Sequence, residues 1–340
     1  MGASHARGYH ALPAFEICGL VSRGPASRAA LNAELGGTLA EFDDYYRALE
    51  TTQPDVVCIS TYTETHAPYA IAALERGAHV FLEKPLADTL EAAERVIDAA
   101  RRSGRALVLG YILQVHPTWQ RFIDEARGLG RPLVMRMNLN QQSAGAEWDT
   151  HRKLLAATSP IVDCGVHYVE IMCRMTGARP IRVSGIGARL TDDIAPDRFN
   201  YGQLQVTFDD GSIGWYEAGW GPMMSETAFF VKDVIGPAGS VSITAPREGS
   251  SDIEGHTRAE TLVIHHAALA PDGALARRDD VVPLVDAPDH DDLCRLEQER
   301  LLDAINGRFD LEAHWQSALD SLRIVLAADR SALEGRTIDL

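Results

Sequence analysis

Residues 78–86 read AHVFLEKPL, an apolar run that ends in the tripeptide Glu83-Lys84-Pro85. An apolar run of this length, followed at once by a helical pattern, is typical of a buried strand. The helical pattern covers about 88–103 and stops at Gly104, a residue that favours the end of a helix. A strand that passes through a short polar loop into a helix predicts a unit of a parallel sheet covered by helices.

The same alternation of strand and helix extends on both sides, from residue 15 to about residue 111. A second helical pattern, Thr65–Arg76, has Pro68 near its start and Gly77 just past its end. The predicted strands are Phe15–Val21, Asp55–Ser60, His79–Leu82 and Ala106–Gly110. Residues 1–111 are therefore predicted to form an α/β domain with a parallel sheet.

The pattern changes after Tyr111, and residues 112–340 are predicted to form a second domain. Helical patterns cover about 117–128, 160–176, 291–306 and 312–333. Strand-like runs cover Leu133–Leu139, Tyr201–Phe208, Ser212–Gly219, Ala228–Ile235 and Ser240–Thr244. Turn signals such as Asp209-Asp210-Gly211 separate these runs, which predicts an antiparallel sheet. Segment 246–290 is polar and is predicted to form edge strands and surface loops.

Charge and cysteine content restrict the class of protein. Asp and Glu total 48 against 32 Lys and Arg, a formal net charge of −16, which disfavours nucleic acid and anionic membrane surfaces as partners. No apolar stretch is long enough to span a bilayer. The five cysteines form an odd set without a C-x-x-C pair, which predicts buried thiols in a reducing, cytoplasmic compartment.

The first residues, MGASHAR, look like the tail of the glycine fingerprint that binds a dinucleotide, with Ala3 in its third small-residue position. The strand and the two glycines that precede this position in a Rossmann unit are not in the sequence. Without that strand, neighbouring strands would have unpaired backbone groups. Our hypothesis is that the reading frame begins upstream and Met1 is internal; the alternative is a truncated, degenerate protein.

Three motifs in this order resemble the glucose-fructose oxidoreductase/inositol dehydrogenase (Gfo/Idh/MocA) family. They are Glu83-Lys84-Pro85, the loop STYTETH at 60–66, and the Asp163-x-x-x-His167 element. The resemblance covers nearly the whole chain. It implies an N-terminal Rossmann domain, a C-terminal α/β domain with a large, mainly antiparallel open sheet, and a homo-oligomer, either a dimer or a tetramer. It also implies hydride transfer between a nicotinamide and a sugar or polyol.

The resemblance implies three catalytic residues. Lys84 would hydrogen-bond the oxygen on which negative charge develops as an alcohol becomes a carbonyl. His167 would act as the general base for the substrate hydroxyl, and Asp163 would position the substrate or orient the base. The four-residue spacing places Asp163 and His167 on one face of the predicted helix. In an arbitrary sequence, a capping aspartate and a core histidine would be the commoner reading of this pair.

The cofactor is predicted to be NADP rather than NAD. The second strand ends in Ser22 and Arg23, where an acidic residue would instead accept the ribose hydroxyl of NAD. An arginine there suits a 2′-phosphate, although it can also be an exposed residue of a turn. The cofactor-binding residues predicted from the fingerprint and the resemblance are Gly2, Ala3, Ser4, His5, Ser22, Arg23, Thr61, Tyr62, His66, Glu83 and Lys84.

The substrate is predicted to contact residues from two segments, with domain-junction packing or an ordinary exposed loop as the alternatives. The predicted contacts are Tyr111, Gln114, Trp148, His151 and Arg152, the last three on a loop before the Asp163 element. The chain departs from the family pattern in three places. Tyr62 replaces a proline, Gln114 replaces an arginine, and Thr158-Ser159-Pro160 replaces a glycine run.

Two other functions remain open in the sequence. Some relatives keep the nicotinamide bound and cleave a glycoside by oxidation, elimination and reduction. A few family members are non-catalytic regulators that bind a dinucleotide and a protein. No metal site is predicted, because the pairs and runs at 265–266 and 289–292 lack companion ligands at recognised spacings.

Overall fold

A computed structural model describes residues 1–225, 230–244, 261–283 and 288–340 of the chain. The chain divides into two compact units. The first contains Met1–Val115 and Pro288–Leu319, and the second contains His116–Ala287 and Asp320–Leu340. The first unit therefore includes residues from the C-terminal part of the chain as well as its N-terminal part.

The elements alternate in the first part of the chain and group by type later. The helices are α1 Gly2–Ala11, α2 Pro25–Glu34, α3 Tyr45–Thr52, α4 His66–Glu75, α5 Leu90–Ser103, α6 Pro117–Gly128, α7 Ala146–Leu155, α8 Pro160–Asp163, α9 Gly165–Thr176, α10 His290–Ile305 and α11 Leu311–Glu334. The strands are β1 Gly19–Val21, β2 Ala40–Phe42, β3 Val56–Ile59, β4 His79–Glu83, β5 Leu107–Gly110, β6 Val134–Gln142, β7 Pro180–Ala188, β8 Tyr201–Phe208, β9 Ile213–Gly221, β10 Lys232–Gly236, β11 Gly239–Thr244, β12 Thr261–His266, β13 Asp280–Pro283 and β14 Ile338–Asp339.

The strands of the first unit are all parallel, which confirms the α/β class and the Rossmann-type sheet. They form two sheets: β1 pairs with β2, and the order in the other sheet is β3-β4-β5. The core lies between β4, β5, α1 and α10, where Phe81, Val108 and Leu301 are almost fully buried. This core fixes the end of β4, and with it the position of the Lys84 segment.

Local sequence accounts for the helix that follows Lys84. Thr89 caps α5 by accepting a hydrogen bond from the N–H of Ala92 at 3.2 Å. Gly104 ends the helix with a φ of 65°, the left-handed conformation that favours glycine. The helix therefore begins at Leu90, two residues after the predicted start at about 88, and ends where the sequence predicts.

The second unit contains a nine-stranded sheet of order β13-β12-β11-β10-β6-β9-β8-β7-β14. All neighbouring pairs are antiparallel except β6 and β9, which are parallel. The predicted antiparallel sheet is confirmed with this exception. A parallel pair needs a long connection, and the chain between β6 and β9 supplies three helices and two strands.

Three local predictions are wrong or change in detail. The segment with Trp148, predicted as a loop, forms α7, because acidic residues in its first turn and basic residues in its last turn stabilise a helix. Cys18 is exposed, since β1 begins only at the next residue. The helix predicted over 160–176 divides at Cys164 into α8 and α9.

Two predicted segments lie partly outside the described residues. These are the first two residues of the predicted strand Ala228–Ile235, and positions 246–260 and 284–287 of the polar segment. Within the described ranges of the polar segment, β12 and β13 are present, and β13 is an edge strand as predicted. In the part of the chain that the structure describes, no helix combines the length and apolar character needed to cross a membrane.

Candidate functional site

The backbone of Lys84 is held at the end of β4 by the buried carboxylate of Glu83. Oε2 of Glu83 accepts a hydrogen bond from the N–H of Lys84 at 3.1 Å, and Oε1 lies 2.7 Å from Nε2 of His5. Burial alone raises the pKa of Glu83, but the His5 hydrogen bond and the charges of His5 and Lys84 outweigh it, so this pKa is lowered. Glu83 is therefore an ionised, internal anchor rather than a surface group.

The next residue, Pro85, is held from the other side by His66 at the start of α4. Nδ1 of His66 lies 2.7 Å from the carbonyl oxygen of Pro85, and Nε2 lies 3.1 Å from that of Thr61. The ring is 1% exposed, and burial lowers the pKa of His66 although both carbonyls favour its protonated form. His66, predicted to contact the cofactor, thus links the loop after β3 to the segment that follows β4.

A glycine in β5 leaves space for the Glu83 carboxylate. In Gly110→Ala, the added methyl group would lie 3.1 Å from Oε1 and Oε2 of Glu83. The carboxylate would have to shift, and its hydrogen bonds to His5 and Lys84 would lengthen. We expect urea unfolding to show a loss of about 1–3 kcal/mol. The matched control is Gly128→Ala in α6, where no atom lies within 4 Å of the added methyl; equal stability of the two variants would contradict this prediction.

Two predicted cofactor residues meet on the surface of the first unit. The guanidinium of Arg23, which follows β1, lies 5.9 Å from the ring centroid of Tyr62, which follows β3. Tyr62 is 55% exposed. Ser22 accepts a hydrogen bond from the N–H of Gly24 at 3.2 Å, so its hydroxyl shapes this turn. The loop after β3 is braced by a 2.7 Å hydrogen bond between the hydroxyls of Thr61 and Thr65.

The start of α1 lies beside the end of β3. A Cβ built at Gly2 would lie 3.9 Å from the side chain of Ser60, so the first turn of the helix approaches this loop closely. Ala3 is half-buried and Ser4 is 9% exposed, whereas His5 is fully buried and packs against Phe81. Of the four fingerprint residues, His5 therefore faces the interior of the unit.

In the second unit, Asp163 is the last residue of α8 and His167 lies in the first turn of α9. Ser159 caps α8 by accepting a hydrogen bond from the N–H of Val162 at 3.2 Å. Asp163 is half-buried and His167 is 8% exposed. The backbone remains helical through Cys164, and the N–H of His167 donates to the Cys164 carbonyl at 3.2 Å.

His151 belongs to the same region as Asp163. Its ring stacks on Trp220 with centroids 4.6 Å apart, and its Nδ1 lies 2.9 Å from the hydroxyl of Ser143. Burial lowers the pKa of His151, and the charge of Asp163 opposes this. Trp220 in turn donates from Nε1 to Gln141 at 2.8 Å. Trp220, Gln141 and Ser143 lack a sequence motif, and they join the candidate site only through these contacts.

The other predicted substrate residues differ in exposure. Trp148 is buried, with Nε1 3.4 Å from Asp193, whereas Arg152 is exposed and forms an ion pair with Asp149 on its own helix. In the first unit, Gln114 is 2% exposed, and its side-chain and backbone oxygens both accept hydrogen bonds from Arg300 at 2.8 Å.

Tyr111 is buried in the first unit, 2% exposed, with its ring 6.1 Å from that of His314. His314 also accepts a hydrogen bond from the N–H of Leu109 at 2.9 Å, and Arg300 holds Gln114 nearby in sequence. No sequence pattern indicates that Arg300 and His314, from α10 and α11, support the segment after β5. Arg300 is 186 residues from Gln114 along the chain, and His314 is 205 residues from Leu109.

Comparison with known proteins agrees with these two units. Residues 1–111 match the family described as the oxidoreductase family with an NAD-binding Rossmann fold, and residues 120–241 match the GFO/IDH/MocA C-terminal domain. The solved structure of an oxidoreductase domain protein from Kribbella flavida superposes with a TM-score of 0.79 at 22% identity, covering 100% of this chain and 96% of that one.

Two relatives extend the comparison to proteins with named activities. The chain is 30% identical over 214 residues to scyllo-inositol 2-dehydrogenase (NAD(+)) of Bacillus subtilis, which is 59% of this chain and 58% of that protein. It is 26% identical to inositol 2-dehydrogenase 2 of Saccharopolyspora erythraea, over 75% of this chain and 74% of that protein. The two domain matches and these relatives lead to one conclusion: the chain belongs to the Gfo/Idh/MocA oxidoreductase family.

Proposed function

We propose that this protein transfers a hydride between a nicotinamide cofactor and a carbon of a sugar or polyol that bears a hydroxyl group. The observation that carries the proposal is the double anchoring of the Lys84 segment. Glu83 holds the N–H of Lys84, and His66 holds the carbonyl of Pro85, both from buried positions. A lysine whose backbone is fixed on both sides is suited to catalysis, since preorganised donors lose little freedom during the reaction.

The residues fit oxidation of an alcohol in which one hydride and one proton leave the substrate. The nicotinamide, when bound, accepts the hydride. The Lys84 ammonium would donate a hydrogen bond to the substrate oxygen, whose negative charge grows as the hydroxyl proton leaves. The His167 imidazole would accept that proton, and Asp163 would orient the substrate or the imidazole. In the reverse direction His167 would return the proton to the new alcohol.

We propose NADP as the preferred cofactor, on the strength of Arg23 and Tyr62. A guanidinium binds a phosphate with several donors at once, and an exposed aromatic ring offers a face to an adenine. Arg23 follows β1, the strand whose end carries the ribose-selecting residue in Rossmann domains. Tyr62 follows β3, and its ring lies 5.9 Å from the Arg23 guanidinium. The relative from Bacillus subtilis is named for NAD(+), so the two cofactors must be compared directly.

Replacement of Arg23 by aspartate is expected to reverse the cofactor preference. The carboxylate would repel the 2′-phosphate and accept hydrogen bonds from the ribose hydroxyl of NAD. We expect NADP to bind at least about tenfold more weakly and NAD to bind as well or better. Titration of both nucleotides against the wild type, Arg23→Asp and the control Arg102→Asp, on the exposed end of α5, measures this. An unchanged ratio of the two dissociation constants in Arg23→Asp would reject the assignment.

The substrate class rests on the relatives' names, which are inositol dehydrogenases, and on the polar and aromatic side chains around Asp163. His151, Trp220 and Ser143 offer an aromatic surface with hydrogen-bonding groups beside it, as sugar sites do. The test is formation of reduced nicotinamide with a panel of inositols, aldoses and glycosides. Reduced cofactor in stoichiometry with an oxidised sugar supports the proposal. Release of an aglycone without net reduction would indicate the elimination mechanism instead.

A further inference from the structure

We propose that the first unit binds a structural divalent metal ion, zinc by the chemistry of its ligands, between α1 and α10. The ligands are His5 from α1 and Cys294 and Glu297 from α10. One donor atom from each residue lies within 4.8 Å of the other two, and all three residues are buried. A nitrogen, a sulfur and a carboxylate oxygen are the donors that zinc binds in proteins, at about 2.0–2.3 Å, so a modest contraction would complete the site.

The geometry of the two helices creates this cluster. Cys294, Glu297 and Gln298 follow the i, i+3, i+4 spacing that puts side chains on one face of a helix. That face packs against α1. The helices approach closely at Gly8, where a Cβ would lie only 3.2 Å from the backbone of Arg295. His5, one turn before Gly8, therefore reaches the Cys294 and Glu297 side chains.

Glu297 supplies an independent indication of a ligand. The residue is 2% exposed, and neither oxygen of its carboxylate has a hydrogen-bond partner among the described residues. Oε1 of the neighbouring Gln298, a residue with no exposed surface, has none there either. Buried acceptors are nearly always satisfied by a donor or a cation. Three such oxygens beside a thiol and an imidazole indicate a bound cation.

The partner of His5 also matches a metal site. Its Nε2 bonds to Glu83 at 2.7 Å, which directs Nδ1 to the opposite side of the ring. A carboxylate that holds the second nitrogen is the usual support of a metal-bound histidine. The Gln298 amide nitrogen lies 3.0 Å from Nδ1. Rotating the Gln298 amide by about 180° would exchange its nitrogen and oxygen. Oε1 would then face the cluster as a fourth ligand.

The competing explanation is a neutral carboxyl, since burial and the nearby Glu83 raise the pKa of Glu297 well above its ordinary value. Metal analysis of the whole chain, purified without chelators, separates the two. We expect about one zinc per chain, and in the cobalt-substituted protein a thiolate-to-metal charge-transfer absorption. Cys294→Ser should remove this absorption, and the control Cys18→Ser, at an exposed thiol, should keep it.

Glu297→Gln tests the site a second time, in case Cys294→Ser does not fold. It keeps the shape of the side chain and removes the carboxylate charge that would bind the metal. We expect it to remain folded, to bind zinc at least about tenfold more weakly, and to lose the rise in Tm that zinc gives the wild type after its metal has been removed by a chelator. Folded wild-type protein that binds neither zinc nor cobalt overturns the proposal. So does a cobalt-thiolate absorption that persists in Cys294→Ser. The test does not depend on enzymatic activity and is independent of the proposed reaction.

Discussion

Lys84→Met is expected to lower kcat by about 100- to 1,000-fold, the size of effect produced by removing one donor to a developing oxyanion. Methionine keeps an unbranched side chain but lacks the ammonium group. The anchors on this segment involve the backbone N–H of Lys84 and the carbonyl of Pro85, so they survive the substitution. Steady-state kinetics should therefore show the loss in kcat, while the dissociation constant of NADP changes by less than about threefold.

Lys153→Met is the matched control, because Lys153 is an exposed lysine on α7 that is not assigned to the chemistry. Its kcat should equal that of the wild type. Lys84→Arg adds a second comparison, since it keeps the charge but changes the shape and reach of the donor; we expect partial activity. Wild-type kcat in Lys84→Met would exclude the lysine from the reaction even if the oxidoreductase activity itself were confirmed.

Elements with a clear local pattern could be predicted to the residue. The predicted helix at 117–128 and the predicted strand Tyr201–Phe208 match α6 and β8. Pro117 is favoured at the first position of a helix. In β8, every second residue is buried, which is the pattern that alternating apolar residues predict.

Elements whose stability comes from tertiary contacts could not be predicted. Strand β7, Pro180–Ala188, contains Gly185 and Gly187, and glycine is unfavourable in strands. In the structure these glycines allow close packing. A Cβ at Gly185 would lie 2.1 Å from the carbonyl oxygen of Ala328, and one at Gly187 would lie 2.6 Å from the ring of Phe199. The reason for Gly185 therefore lies in α11, far away along the chain, and the reason for Gly187 lies in a side chain outside its own strand.

The candidate site shows the same limit. The motif around Lys84 identifies the lysine, but its support depends on pairs that have no local pattern. His5 and Glu83 are 78 residues apart, and Gln298 and His5 are 293 apart. The family resemblance likewise implies a cofactor role for His66, and the structure adds that both of its ring nitrogens lie within hydrogen-bonding distance of backbone carbonyls. The motif points to the residue that is proposed to carry the chemistry, and only the fold shows which side chains hold it.

A buried lysine in the second unit gives the second large effect. Lys232 in β10 is 2% exposed, and its ammonium lies 4.5 Å from the ring centroid of Tyr168 and 4.7 Å from that of Phe230. It donates a hydrogen bond to the carbonyl oxygen of Asn138. Burial lowers the pKa of Lys232 from 10.5 to about 7, because the charged form loses its hydration and these contacts replace only part of it.

Lys232→Met is therefore expected to raise stability most at low pH. Above pH 10.5 the lysine is neutral in both the folded and the unfolded state, so burying it costs no charge desolvation. As pH falls from 10.5 to about 7, the unfolded chain binds a proton that the folded chain does not, and the free energy of unfolding of the wild type decreases. The free energy of unfolding of the wild type should thus fall relative to that of Lys232→Met by about 1.4 kcal/mol for each pH unit between pH 9 and pH 7, and the difference should level off below pH 7.

Urea unfolding of the wild type, Lys232→Met and Lys153→Met at four pH values from 6 to 9 measures this difference. Comparison with the variant cancels the titration of all other groups, including the buried tyrosines. The exposed Lys153 keeps the same charge in both states over this range, so the free energy of unfolding of Lys153→Met should change with pH as that of the wild type does. If the free energy of unfolding of Lys232→Met also changed with pH as that of the wild type does, Lys232 would remain charged when folded. The two aromatic rings and the Asn138 carbonyl would then stabilise its ammonium as well as water does, and burial would not lower the pKa of Lys232.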